Sequence, residues 1–383
     1  MTIVRNNTFY PDIFVDAVRG AFRGHAALHG TGAVTMNPSL PDGLKGGDKI
    51  KVPYFGTLGE LQVTTEDIPV PLSSVSQSVD EAVVRRAGRA FEMSKWKMIA
   101  ESSSDPYGEF ARQLTELVGR AWDGALIDAA ASPTGLPASH VIDRFNASSP
   151  VNLQYGHVID GRAVFGDEQG QIGMLCMHSK PYFDLMKQLD AENRPLLTSP
   201  NDGGLVRIAG VPVMPSDRCP IDFSASGAIS SAGTAPPSLT ISGSTNLGIN
   251  HLEIAIASAG ALGAATFRYS FDGGATWSNP APTAASASLV IDNDASRPTG
   301  LVAHFSAGSY SADNEYTATP RYSSLIVKPG ALALWYNASP AVDTDKDILK
   351  DNVVAAIHTY FVPHRYARII NESRPGVVVL KHN

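Results

Sequence analysis

The residues able to do chemistry are few, and their spacing argues for structure first. The sharpest local signal is Ser270-Phe271-Asp272-Gly273-Gly274-Ala275-Thr276-Trp277. Asp272 can accept amide protons from the turn that follows it. Gly273-Gly274 permits positive φ, and Trp277 can pack beneath. Such a unit is a β-hairpin, with Ser270, Asp272, Gly274, Thr276 and Trp277 as its structural residues, and it is not itself catalytic. His25 and His29 stand four apart on an expected helix, a spacing that zinc sites use. No Glu follows His25 and no third ligand is evident, so two exposed histidines near a helix end are expected. A charged imidazole there suits the helix dipole. Gly43-Leu44-Lys45-Gly46-Gly47-Asp48-Lys49 is rich in glycine, but it lacks the Gly-Lys-Ser/Thr that opens a phosphate-binding helix, and a strand follows. It reads as a turn. There is no Gly-x-Ser-x-Gly elbow. His140, His157 and His178 are taken as surface or core histidines. Cys176, in the apolar run Met174–Met177, and Cys219 make neither a disulfide framework nor a zinc site. A buried free thiol is the expectation for Cys176. No catalytic, metal or cofactor-binding residue is assigned, and no cofactor is implied.

Composition narrows the class further. The 383 residues are 43% hydrophobic and 17% charged, against a usual charged fraction of about a quarter. A disordered chain needs low hydrophobicity and high net charge, so that class is excluded. A chain of this length buries roughly three quarters of its unfolded surface and suggests about two to three domains. The formal net charge of −7 argues against a dedicated DNA-binding protein, whose affinity rests on Lys and Arg neutralising phosphates. No apolar stretch follows Met1–Asn7, so no signal peptide is expected. The longest apolar run, Ile254 to Ala265, falls short of the roughly 20 residues of a membrane span, so no membrane association is expected. The two cysteines fit a reducing compartment.

The elements that must position these residues follow from periodicity. Residues 11–28 read as a short amphipathic helix carrying Ile13, Phe14, Val18, Phe22 and Leu28. Gly30 to Gly47 is too irregular for core and reads as an extended arm. Over 48–72, Ile50, Val52 and Tyr54 alternate with Lys49, Lys51 and Pro53, Gly56 and Gly59 mark a turn, and a second extended run covers Glu60 to Thr65. The pattern predicts a long two-stranded ribbon. Such a ribbon has no core of its own and must lie on something else, such as another subunit. Val75 to Phe91 is strand-like but of ambiguous type. Residues 105–131 are the clearest helix: Asp105 caps it, Pro106 opens it, and Phe110, Leu114, Leu117, Val118, Ala121, Trp122, Ala125, Leu126 and Ala129 recur at helical spacing. Glu116 and Arg120 can pair four residues apart. A buried strand at Ile172 to Met177, a helix at 180–191 and a hairpin at Leu205 to Met214 follow. From Asp222 to Arg321 the chain holds only ten charged residues, and no Lys occurs between Lys187 and Lys328. Short apolar runs at 238–241, 252–256, 266–269, 287–291 and 300–305, parted by turn residues, predict an inserted all-β sandwich within a mixed α/β body.

The ordered set of arm, ribbon, polar strand, long helix, Met177-His178-Ser179-Lys180-Pro181-Tyr182, the turn Arg207–Val213 and the returning Ser323–Ala331 resembles tailed-bacteriophage major capsid proteins of the Hong Kong 97 fold. The resemblance covers most of 1–221 and 322–383. It implies an α+β fold with an N-terminal arm (1–47), an E-loop (48–72), and a peripheral domain (73–150 and 361–383) with spine helix 105–131. An axial domain (151–221 and 322–360) completes the body, with an inserted, Ig-like β-sandwich (222–321). Function would then be self-assembly, as hexamers and pentamers, into an icosahedral shell enclosing double-stranded DNA non-specifically, with no enzymatic activity. Partners would be the chain itself, a portal, a separate scaffolding protein and a decoration protein. The location would be the virion capsid, assembled in the host bacterial cytoplasm. Inter-subunit contacts fall to Lys49, Lys51, Glu60, Glu66 and Asp67 on the ribbon and to Glu109, Arg112, Glu116 and Arg120 on the helix. Some relatives crosslink a Lys of the E-loop to a neighbour's Asn; no motif here identifies an acceptor, and no crosslink is expected. The Ser270–Trp277 stretch also matches the Asp-box of sialidase-like propellers, which need it in several blades, whereas one copy stands here. A glycan-binding or sialidase-like protein built on that hairpin, and an encapsulin-like shell protein, are the alternatives.

Overall fold

The computed structural model describes residues 28, 32–40, 44–55, 77–94, 106–146, 149, 152–188, 206–278, 281–282, 288–291, 299–337, 341–347, 352–366 and 375–383. The chain forms two units, one of residues 1–129 and 329–376, the other of 130–328 and 377–383.

In the first unit the long strand Asn352–Arg365 organises a five-stranded sheet. Arg85–Ser94 pairs along one side of it, antiparallel; Ala341–Asp347 and Leu332–Tyr336 pair along the other. Val34–Asn37 joins Leu332–Tyr336 in parallel. This corrects the reading of Gly30 to Gly47 as too irregular for core. Ala33, Val34 and Leu40 are buried, because the strand supplies its backbone groups with ladder partners and its side chains with a sheet to lie on. Helix α1, Pro106–Ala131, spans the predicted element. Its inner stripe is Val118, Trp122, Ala125 and Leu126, recurring at helical spacing. The Trp122 ring centre lies 4.9 Å from that of Tyr336 and 6.4 Å from that of Phe361, which docks the helix on the sheet.

The ribbon is present, with a partner strand other than the one predicted. Lys49–Phe55 pairs antiparallel with Gln77–Val83, within the run whose type was ambiguous. Glu60 to Leu72 lie outside the described residues. The ribbon also has a bed within its own chain. Val52, Ala82 and Val84 form one apolar cluster with Leu40 and Val362, packed against Ile50, Trp335 and Tyr360.

In the second unit an eight-stranded mixed sheet is built on Arg321–Val327, which pairs with Met174–Met177, Ile221–Asp222 and Val377–His382. Helices α2, Tyr155–Ala163, and α3, Ser179–Met186, accompany it. Leu153, Val158, Phe165, Leu175, Leu185, Ile326 and Val378 make its core. The predicted hairpin is Arg207–Ile208 with Val211–Pro215. Its turn, Ala209 at φ 50° and Gly210 at φ 79°, has the doubly positive backbone of a two-residue hairpin loop. The Arg162 guanidinium donates to the Ala209 carbonyl.

The low-charge segment forms two larger sheets and a small two-stranded one, Gly260–Ala261 with Ser309–Tyr310. Ile229–Ala232, Glu315–Ala318, Leu252–Ser258, Thr266–Ser270 and Ala281–Pro282 make one of the larger two; Leu239–Ser242, Leu301–Phe305 and Leu289–Ile291 make the other. One apolar cluster draws on both, with Ile241, Ile254, Phe267, Leu301, Phe305 and Tyr316 among its members. The sheet memberships differ from the sequence grouping. Residues 332–336 and 352–360 belong with the α1 sheet, and 377–382 belong with 141–143 and 321–327, because strand pairing there is set by long-range ladders.

Candidate functional site

Cross-strand register sorts the ribbon into two faces. Ile50 and Val52 stand opposite Ala82 and Asp80, and this face meets the sheet. Lys49 and Lys51 stand opposite Val83 and Glu81, and this face is turned to solvent. Lys49 Nζ reaches Glu81 Oε2 at 2.6 Å; the pairing raises the lysine pKa and lowers that of the carboxyl. Beside these charges Val79 is 50% exposed and Val83 47% exposed. The outer face therefore combines the Lys49–Glu81 pair, a second lysine, Lys51, whose charge also acts on Glu81, and two apolar side chains. The sequence assigns Lys49 and Lys51 to contacts; it places Val79 and Val83 only in the strand-like run from Val75 to Phe91, and gives Glu81 no role. Their signal was legible, since Val79-Glu81-Val83 alternates with Asp80-Ala82-Val84.

On α1, Glu116 and Arg120 pair on the outer side as their spacing predicted, next to Leu117, which is 42% exposed. Glu109 and Arg112 lie on the helix, two turns and one turn before Glu116. Glu60, Glu66 and Asp67 lie outside the described residues, as do His25 and His29.

The Ser270–Trp277 segment is built as the motif requires. Asp272 Oδ1 accepts from the Thr276 amide at 2.9 Å and from Ser270 Oγ at 2.7 Å; Oδ2 accepts from Thr276 Oγ1 at 2.6 Å. The Thr276 hydroxyl and amide, then the Ser270 hydroxyl, hold the Asp272 carboxyl down at about 2. Gly273 and Gly274 take φ of 70° and 85°. The expected burial of Trp277 is only partial, and the Arg268 guanidinium sits 4.6 Å from its ring centre. A cation thus occupies one face of the indole.

Two buried histidines of the second unit, His178 and His382, are held by hydrogen bonds. His178 caps α3, its Nδ1 accepting from the Lys180 amide at 3.1 Å, while Nε2 stands 3.7 Å from Asp217 Oδ1. Ser179 Oγ donates to the same carboxylate. The serine and the histidine each face the aspartate, not each other, so no serine is activated as a nucleophile there. Burial lowers the His178 pKa. His382 is enclosed between Ser324 Oγ, 2.8 Å from Nε2, and the Asn383 carbonyl, and burial holds it down at about 4. Among the described residues no group of three His, Cys, Asp or Glu is placed to hold a metal ion. No described helix is long and apolar enough to cross a membrane.

No family model and no curated protein matches the chain. Solved structures do. A protein of Microbacterium phage Oxtober96 is 13% identical, with a TM-score of 0.47 over 94% of this chain and 91% of that one. The capsid of the native GTA particle is 10% identical, at 0.49 over 93% and 90%. The capsid of Ralstonia phage GP4 is 10% identical, at 0.48 over 91% and 87%.

Proposed function

We propose that the chain is the major capsid protein of a tailed double-stranded DNA phage. Copies assemble as hexamers and pentamers into an icosahedral shell that encloses the genome. The activity is assembly and containment, with no chemical step. The observation that carries the reading is the ribbon's outer face. A two-stranded ribbon rests its inner face on the sheet yet leaves Val79 and Val83 about half exposed beside Lys49, Lys51 and Glu81. Isolated ribbons are marginal in water, and a mixed apolar and charged face of this kind gains by being covered. In the proposed shell a neighbouring subunit covers it, with residues 48–72 as the E-loop.

The remaining assignments follow from the same reading. Helix α1 is the spine helix of the peripheral domain, and the α2/α3 part of the second unit is the axial domain. The 222–321 segment is an Ig-like insertion. Portal, scaffolding and decoration proteins are the expected partners, and assembly takes place in the host cytoplasm. The contacts form a heterologous set that closes into rings.

Negative-stain electron microscopy of the expressed protein after size exclusion tests this directly. Closed shells or ring-shaped capsomers in the void volume are expected. A chain that stays single when a scaffolding protein is supplied, and that is retained on a glycan column, would overturn the reading in favour of a carbohydrate-binding module.

A further inference from the structure

The chain holds two cysteines, 43 positions apart, and the fold brings their sulfurs into contact. Cys176 Sγ lies 3.4 Å from Cys219 Sγ; both residues are wholly buried, and neither is in a disulfide. Neither thiol has a role in the ribbon, the helix or the hairpin. Cys176 is the third residue of the strand Met174–Met177, where it pairs with Leu325 on one side and Met214 on the other. Cys219 is outside any strand, in the turn closed by its own amide to the Ser216 carbonyl at 3.1 Å. That turn is anchored to the cysteine strand by the Ser216 amide, which donates to the Met177 carbonyl at 2.8 Å. One partner is therefore rigid and the other stands on a short turn tied beside it. A disulfide needs the sulfurs at about 2.05 Å. The remaining approach is of the size that side-chain rotation and a small shift of the turn supply.

We propose that Cys176 and Cys219 are a redox pair that forms an intrachain disulfide under oxidising conditions. In a reducing compartment the pair stays as two thiols. Outside it, a small diazene or disulfide oxidant takes the two hydrogens. With a diazene, one thiolate adds to the N=N bond to give an S–N adduct. The second thiolate then attacks that sulfur, forming the S–S bond and releasing the hydrazine. Two thiols are oxidised and one diazene is reduced. The bond ties the strand Met174–Met177 to the segment that runs, two residues later, into the strand Ile221–Asp222 at the base of the low-charge sheets. It does so within one chain, so it holds whether or not copies assemble into a shell. Both sulfurs are shielded from an oxidant by burial, so reaction proceeds through local opening of the 216–220 turn and is slow.

The experiment is treatment of the purified full-length chain with diamide at mildly alkaline pH, followed by intact mass, non-reducing electrophoresis and peptide mapping. The expected product is a monomer lighter by about 2 Da, with one peptide pair joining Cys176 to Cys219, reversed by dithiothreitol. Its thermal midpoint should rise by about 5 °C or more over the reduced chain, because the bridge closes a long loop in the unfolded state. Cys219→Ser should fold as the parent does and show neither the mass loss nor the rise. Two thiols still alkylatable after unfolding of the treated protein would overturn the proposal. So would separate adducts on the two sulfurs, or a bridge between chains in place of one within a chain.

Discussion

Asp272 shows how much of a local site one carboxylate can organise. Its folded pKa of about 2 lies below the ordinary value of 3.8 because it accepts from the Thr276 hydroxyl and amide and from Ser270. The ionised form is favoured in the folded state, so its contribution is complete above about pH 4 and is lost as pH falls through about 2. Asp272→Asn should lower the thermal midpoint at pH 6 and flatten its dependence on pH below 4. A parent-like curve in a pH series of melts would contradict the assignment. His382 acts in the opposite range. The unfolded chain takes up its proton near 6.5, the folded one only at about 4. Stability therefore falls as pH drops through that window, by up to about 3 kcal/mol. His382→Gln should remove that part of the pH dependence in urea unfolding at pH 7 and pH 4.5. NMR titration of the ring provides the second check.

At the scale of elements, α1 is the place where pattern and packing agree. Trp122 is buried against Tyr336 and Phe361, whereas Leu117, five residues earlier, stands half out in solvent. Trp122→Ala should cost about 3–5 kcal/mol in denaturant unfolding, in the range of large aromatic truncations. Leu117→Ala should stay within about 0.5 kcal/mol, as surface changes do. Comparable losses for the two would mean that the helix docks through another face. The ribbon shows the opposite relation. Its first strand was legible from the alternation of Ile50, Val52 and Tyr54 with Lys49, Lys51 and Pro53. Its partner was not, because ladder formation is decided by which strand the fold brings alongside, and Gln77–Val83 was as strand-like as Glu60–Thr65. Replacing residues 56–76 by a short turn leaves both strands and the Val52 cluster in place. It should give a folded chain, judged by circular dichroism, that no longer forms shells.

For the whole molecule, the base of the low-charge segment makes a clean prediction. Asp222 and Arg321 are direct cross-strand partners, and Arg321 also bridges Asp222 and Asp143 through its two terminal nitrogens. The segment leaves and re-enters on neighbouring strands, so a two-residue Asn-Gly loop can replace 223–320 in register. The shortened chain should fold cooperatively with some loss of stability, since Ile221 and Tyr322 lose their apolar cover. Failure to fold at all, read by near-ultraviolet dichroism and size exclusion, would make the segment an intrinsic part of the body.

Periodicity and turn chemistry alone determined the long helix, the Ser270–Trp277 hairpin, the Ala209-Gly210 turn and the short strands from 239 to 305. Each rests on contacts within a few residues, or on an apolar alternation that only one conformation can bury. Only the tertiary structure decided that Val34–Asn37 is a sheet strand, that Gln77–Val83 completes the ribbon, and that Val377–His382 pairs with Arg321–Val327. It also brought Cys176 against Cys219. These depend on residues far apart in the chain, and no local spacing records which distant backbone will supply the missing hydrogen bonds.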